Sequence, residues 1–155
     1  MTLAQQVLDR ARAKGVMIAT AESCTGGMVA ASLTDIAGSS DVVERGFVTY
    51  SNLAKQQMLG VQAGTLDAHG AVSEQVAEEM ARGAVEHSGA DLAVSITGIA
   101  GPGGSDFKPE GRVCFGISLD GKTRSETVEF GAIGRAEVRS AARDHALRML
   151  SDVLD

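Results

Sequence analysis

The densest chemistry in the chain lies in Glu22, Ser23, Cys24, Thr25, Gly26 and Gly27: a carboxylate, two hydroxyls, a thiol and two glycines in six positions. An apolar run at 16–19 leads into this stretch, and a run with helical spacing, 28–36, leads out of it. A strand that ends this way and turns into a helix exposes a nucleophile at the turn. It also aims the unpaired N–H groups of the helix start at negative charge developing nearby. Acyl transfer needs both features. Ser23 and Cys24 compete for the nucleophile's role. A thiolate is the stronger attacker, and a helix N-terminus favours it. Strand alternation, however, points Cys24 to the face opposite Ser23. Cys24 and Cys114 therefore read as buried structural cysteines, and Ser23 carries the expectation.

A serine needs a base, and the turn has none. The next cluster, Tyr50-Ser51-Asn52-Leu53-Ala54-Lys55, can supply one. Tyr50 closes a strand-like run, and Asn52 can cap a short helix that places Lys55 in its first turn. A cation is disfavoured at the positive end of a helix, which favours the neutral amine. Working as a base at pH 7 requires a lysine pKa roughly 3 units below its usual ~10.4, through burial or nearby positive potential. Serine–lysine pairs are a known form of the nucleophile–base arrangement. The third cluster is Thr97-Gly98-Ile99-Ala100-Gly101-Pro102-Gly103-Gly104, after an apolar run at 91–99. Ligands in α/β sheets bind outside the carboxyl ends of the strands, and loop amides there can cradle phosphate. Arg135 and Arg139 are candidate anion partners.

The elements that must position these clusters follow from periodicity. Leu3, Val7, Leu8 and Ala11 give a first helix with Gly15 as its left-handed stop. Strands are expected at 16–22, 42–50 and 91–99. Short helices are expected from Asn52 to Leu59 and over 62–69, and a longer one from Ser73, its N-cap, to about His87. Residues 98–111 form a long glycine- and proline-rich loop, a length that is usually functional. Asp120-Gly121 joins two strands, 112–119 and 123–130, as a hairpin. Val138, Ala142, Ala146, Met149, Leu150 and Val153 give a closing helix. Helices and strands alternate early, and a hairpin and a helix come last. This order predicts an α/β fold, a three-layer α/β/α sandwich on a mixed β-sheet, with residues 1–155 as a single domain.

Bulk properties narrow the function. The chain carries a formal net charge of −6, the wrong sign for a nucleic-acid partner. With 3% aromatics and no Trp, the core must come from Val, Ile, Leu, Met and Ala. Two cysteines ninety positions apart and three scattered histidines (His69, His87, His145) lack metal-ligand spacing, so no metal is expected. No apolar run approaches the ~18 residues of a membrane span, and the first fifteen residues lack a signal-peptide core. These features give a cytoplasmic expectation with no membrane partner.

Taken together, Glu22-Ser23-Cys24-Thr25-Gly26-Gly27, Tyr50-Ser51-Asn52-Leu53-Ala54-Lys55, Gly70-Ala71-Val72-Ser73 and Thr97-Gly98-Ile99-Ala100-Gly101-Pro102-Gly103-Gly104 closely resemble the CinA C-terminal domain family, over nearly the whole chain. Its characterised members are nicotinamide-nucleotide amidohydrolases. The resemblance implies hydrolysis of the carboxamide of nicotinamide mononucleotide to nicotinate mononucleotide and ammonia, without a cofactor, usually in a homodimer. By motif position it implies Ser23 as nucleophile, Lys55 as base and Tyr50 as an assisting hydroxyl. It makes the Thr25, Gly26 and Gly27 amides the oxyanion donors and places Glu22, Thr97, Gly98 and Arg139 in substrate binding. Many relatives carry a further N-terminal domain that these 155 residues do not include, so the expectation is a stand-alone deamidase. Relatives often show Gly-Asp-Arg where this chain has Ile133-Gly134-Arg135, so the resemblance carries no role over to Arg135, which stays a candidate anion partner from its position alone. The rival readings are a non-catalytic nucleotide-binding module of the same fold and a hydrolase working through Cys24.

Overall fold

In the computed structural model, which describes residues 1–105 and 107–155, five strands form one mixed sheet in the order β2-β1-β3-β4-β5. The strands are β1 (Ile18–Glu22), β2 (Val43–Val48), β3 (Leu92–Gly98), β4 (Arg112–Leu119) and β5 (Lys122–Glu129). β1 runs parallel to both β2 and β3, while β4 and β5 pair antiparallel. Six helices cover the two faces: α1 (Leu3–Lys14), α2 (Met28–Thr34), α3 (Asn52–Leu59), α4 (Ala63–His69), α5 (Glu74–Glu86) and α6 (Arg135–Val153). The expected three-layer α/β/α architecture is the one observed. Asp106, within the expected loop 98–111, lies outside the described residues.

The side-chain period of two along a strand explains which helices pack where. Ile18 on β1 and Leu92, Val94 and Ile96 on β3 face α1, α2 and α6, where Val7, Leu8, Val29, Leu33, Val138 and Leu150 complete one core. The intervening Ala19, Ala21 and Ala93 face α3, α4 and α5, against Leu59, Leu66, Val76 and Met80. That second face is built from small residues, so α5 lies very close to it. A Cβ on Gly116 of β4 would sit 2.3 Å from the carbonyl oxygen of Ala77. Glu22 continues the Ile18–Thr20 face and so points toward α2, whereas Ser23 follows the Ala19–Ala21 face toward α3.

Local signals place the ends of most elements. Thr2 and Ser73 cap α1 and α5 by accepting from the Gln5 and Val76 amides, and Gly15 stops α1 at φ 67°. Asp120 (φ 54°) and Gly121 (φ 75°) turn the hairpin in the doubly left-handed form such turns prefer. Several boundaries differ from the sequence expectation. β2 stops at Val48, because Thr49 and Tyr50 turn their carbonyls to Lys55. α2 stops at Thr34. The cap of α3 is Ser51, not Asn52, its hydroxyl accepting from the Ala54 amide at 3.0 Å.

Candidate active site

Three parallel strands end side by side, and this brings the clusters together. Glu22 pairs with Val48 of β2 on one side and Ile96 of β3 on the other, so the residues that follow each strand converge at one edge. They line a cavity of about 390 Å³, with Ser23, Tyr50, Lys55, Thr97 and the loop 99–105 around it. That volume lies in the range of small-ligand pockets.

At its base, Lys55 Nζ lies 3.3 Å from Ser23 Oγ, across 32 positions of sequence. The same nitrogen donates to the carbonyls of Thr49 at 2.9 Å and Tyr50 at 3.4 Å. Lys55 is 1% exposed, among the largest side chains that are fully buried. Among the described residues it has no carboxylate partner. Burial disfavours the ammonium, and the Lys55 pKa falls from 10.5 to about 8. With two N–H bonds spent on carbonyls, the neutral amine keeps its lone pair for the Ser23 hydroxyl. Cys24 packs into the opposite core at 5% exposure, and burial pushes its thiol up to about 11. At neutral pH that thiol is protonated and a poor nucleophile.

The turn after Ser23 is braced from inside. Glu22 is fully buried, and its carboxylate accepts from the amides of Gly27 (3.2 Å), Val29 (2.9 Å) and Ala30 (3.0 Å). It therefore caps α2, whose own N-cap residue, Gly27, has no side chain to do so. The expectation that Glu22 binds substrate gives way to this role, because its oxygens are turned into the helix. The Gly26 amide is also committed, donating to the Ser23 carbonyl at 3.0 Å. Two of the three amides expected as oxyanion donors are thus occupied. Among the described residues the Thr25 amide donates to no backbone or side-chain acceptor, and the Cys24 amide has only its own thiol beside it.

The two arginines of α6 exchange places relative to the sequence expectation. Arg135 lines the cavity, donating through Nη1 to the Gly101 carbonyl (2.6 Å) and through Nη2 to the Tyr50 hydroxyl (2.8 Å). Arg139, expected to meet substrate, instead holds the back of the turn, with Nε on the Cys24 carbonyl (3.0 Å) and Nη2 on that of Thr25 (3.4 Å). Thr97 lines the cavity, yet its hydroxyl is spent on the Ala71 carbonyl at 2.9 Å. Gly98 lines it beside Thr97, as Cys24 does beside Ser23, whereas the side chain of Thr25 is fully buried. Asn52 also lines the cavity, a position sequence reasoning gave only a capping role.

The CinA C-terminal domain family matches residues 1–154. The chain belongs to that family. The nicotinamide-nucleotide amidohydrolase PncC of Escherichia coli (strain K12) is 53% identical over 154 residues, 97% of this chain and 92% of that protein. A CinA-like protein of Chloroherpeton thalassium is 52% identical over 128 residues, 82% of this chain but 30% of that longer protein. Among solved structures, the competence/damage inducible protein CihA of Agrobacterium tumefaciens superposes with a TM-score of 0.93 at 50% identity, covering 98% of this chain and 93% of that one. A competence or damage-inducible protein of Enterobacter asburiae gives 0.95 at 33% identity, covering 99% and 96%. In this member of the CinA C-terminal domain family, no described group of three or more His, Cys, Asp or Glu residues could hold a metal ion. No described helix is long and apolar enough to cross a membrane.

Proposed function

We propose that the chain hydrolyses the carboxamide of nicotinamide mononucleotide to nicotinate mononucleotide and ammonia, with Ser23 as nucleophile and Lys55 as base. The buried 3.3 Å contact between Ser23 Oγ and Lys55 Nζ carries the reading, and the likeness to the E. coli amidohydrolase supports the choice of substrate. Neutral Lys55 takes the hydroxyl proton as Ser23 Oγ bonds to the carboxamide carbon, and the carbonyl electron pair moves onto oxygen. The amides of Cys24 and Thr25 receive that oxyanion, each such donor contributing about 3–4 kcal/mol. Collapse breaks the C–N bond, and the proton held by Lys55 leaves with ammonia, since an amide nitrogen departs poorly unprotonated. Water then attacks the acyl-serine as Lys55 takes its proton; the bond between the carbonyl carbon and Ser23 Oγ breaks, Lys55 returns the proton to Oγ, and nicotinate mononucleotide is released. Arg135, with the amides of the glycine-rich loop, suits the phosphate end of the substrate. Tyr50, its hydroxyl held by Arg135, is the assisting donor.

The test is ammonia release from nicotinamide mononucleotide, with nicotinamide and nicotinamide riboside as controls. Turnover that requires the phosphate and disappears in Ser23→Ala supports the proposal. Tight binding of the nucleotide with no ammonia from the wild-type chain would mark a non-catalytic binding module instead.

A further inference from the structure

Arg139 is a half-buried cation that does not itself line the cavity and has no carboxylate partner among the described residues; its bonds go to the backbone carbonyls of Cys24 and Thr25. In a trans peptide the C=O of one residue and the N–H of the next point to opposite sides of the chain. The one cis bond among the described residues is Gly101–Pro102, so the peptides of the turn are trans. The Ser23 carbonyl is held by the Gly26 amide, which turns the Cys24 N–H the other way. The Cys24 carbonyl is held by Arg139 Nε at 3.0 Å, which turns the Thr25 N–H away from α6. The first constraint is local backbone; the second comes from a side chain 115 positions along the chain. Gly26 allows the approach: its φ is +58°, and a Cβ there would stand 3.3 Å from Arg139 Nη2.

We infer that Arg139 is a positioning residue for the oxyanion site: by gripping the Cys24 carbonyl it holds the 24–25 peptide with the Thr25 amide turned toward the reacting carbonyl oxygen. Without the guanidinium, that peptide is free to rotate and present a carbonyl where a donor is needed. The inference rests on the amidohydrolase reading for its natural substrate, but not for its test. Arg135 offers the internal contrast, since it lies in the cavity and touches Tyr50 and loop backbone.

The experiment compares Arg139→Ala and Arg139→Lys with wild type in two assays. One is steady-state ammonia release from nicotinamide mononucleotide. The other is labelling of Ser23 by an alkyl fluorophosphonate, in which the Oγ–P bond forms, fluoride leaves and Lys55 takes the hydroxyl proton. Labelling uses the oxyanion donors without needing the natural substrate, so a wild-type chain that labels but releases no ammonia rejects the substrate and leaves the Arg139 comparison standing. For Arg139→Ala, kcat and the labelling rate are expected to fall about 10²-fold or more, the effect of losing one oxyanion donor. KM and melting temperature should stay near wild type, and added guanidinium should restore part of the rate. Arg139→Lys, which can reach one carbonyl, should be intermediate, and it decides the question if the alanine variant does not fold. Unchanged kcat and labelling, a rise in KM alone, or a rate loss that tracks the melting temperature and is not restored by guanidinium would overturn the inference.

Discussion

The two walls of the cavity are fixed in opposite ways. The serine wall, residues 22–27, is held by buried groups: the Glu22 carboxylate on three amides and the Gly26 amide on the Ser23 carbonyl. The glycine-rich wall is held at its surface by long side chains. Arg135 reaches the Gly101 carbonyl, Lys108 the carbonyls of His69 and Val72, and Glu110 the Gly103 amide. Bonds on the first wall are shielded from water, whereas those on the second exchange with it at little cost. Placement to a fraction of an ångström matters most for the reacting atoms. A wall held by exposed contacts adjusts to a ligand at less cost. The contrast therefore assigns kcat to the first wall and KM to the second.

The largest effects should come from the serine wall. With Ser23 as the proposed nucleophile, Ser23→Ala should lower kcat by at least about 10³-fold while the circular-dichroism spectrum stays native. Lys55→Met should be equally inactive yet more stable than wild type at pH 7. The unfolded lysine titrates at 10.5 and the folded one at about 8, so the folded state resists the proton. Stability lost to this group is fully felt below pH 8, recovers between 8 and 10.5, and is absent above. The gain in Lys55→Met at pH 7, read by urea titration, should be of order 1–3 kcal/mol, reduced by the two carbonyls left without a donor. On the proposed mechanism, in which Lys55 acts as the neutral amine, wild-type kcat should rise with pH and level off above about 8. A flat profile across that range would remove Lys55 as the base.

Next in size is Glu22→Gln. The amide group cannot accept from all three N–H donors, so α2 loses a charge-assisted bond, a cost of about 2–3 kcal/mol in a denaturant titration. A loss of kcat should accompany it with KM little changed. A pure KM effect would mean Glu22 meets the ligand, and the contrast between walls would fail.

The difference between the walls also explains what could be read from the chain beforehand. Strand runs, the Gly15 stop, the Ser73 cap and the Asp120-Gly121 turn are each encoded within a few residues, and so they were legible. The meeting of Ser23 with Lys55 was legible as chemistry, because a serine without a base needs one from elsewhere. The fate of backbone amides was not. Glu22 looks like a site residue from its position, and only the direction of its strand face turns it into the cap of α2. Arg135 and Arg139 lie four apart on one helical face, a single turn of about 5.4 Å. Which of them reaches the cavity depends on where a loop 34 residues away in sequence places the Gly101 carbonyl. No local pattern carries that information.

Smaller effects belong to the glycine-rich wall. Arg135→Ala should raise KM for the nucleotide about tenfold or more through loss of a charge-assisted contact, with kcat changed far less. Lys108→Ala tests the wall at its weakest. Its ammonium donates to the His69 carbonyl at the end of α4 and to the Val72 carbonyl, so it straps the loop to α4 without lining the reaction cavity. A cation at a helix C-terminus with exposed bonds is worth about 0.3–1 kcal/mol. The variant should therefore lose that much stability in denaturant and keep kcat, with KM rising by no more than about threefold. A tenfold fall in kcat from this one strap would show that the loop's exact position enters the chemical step. The division of kcat and KM between the walls would then be wrong, because a surface contact would be governing the reacting atoms.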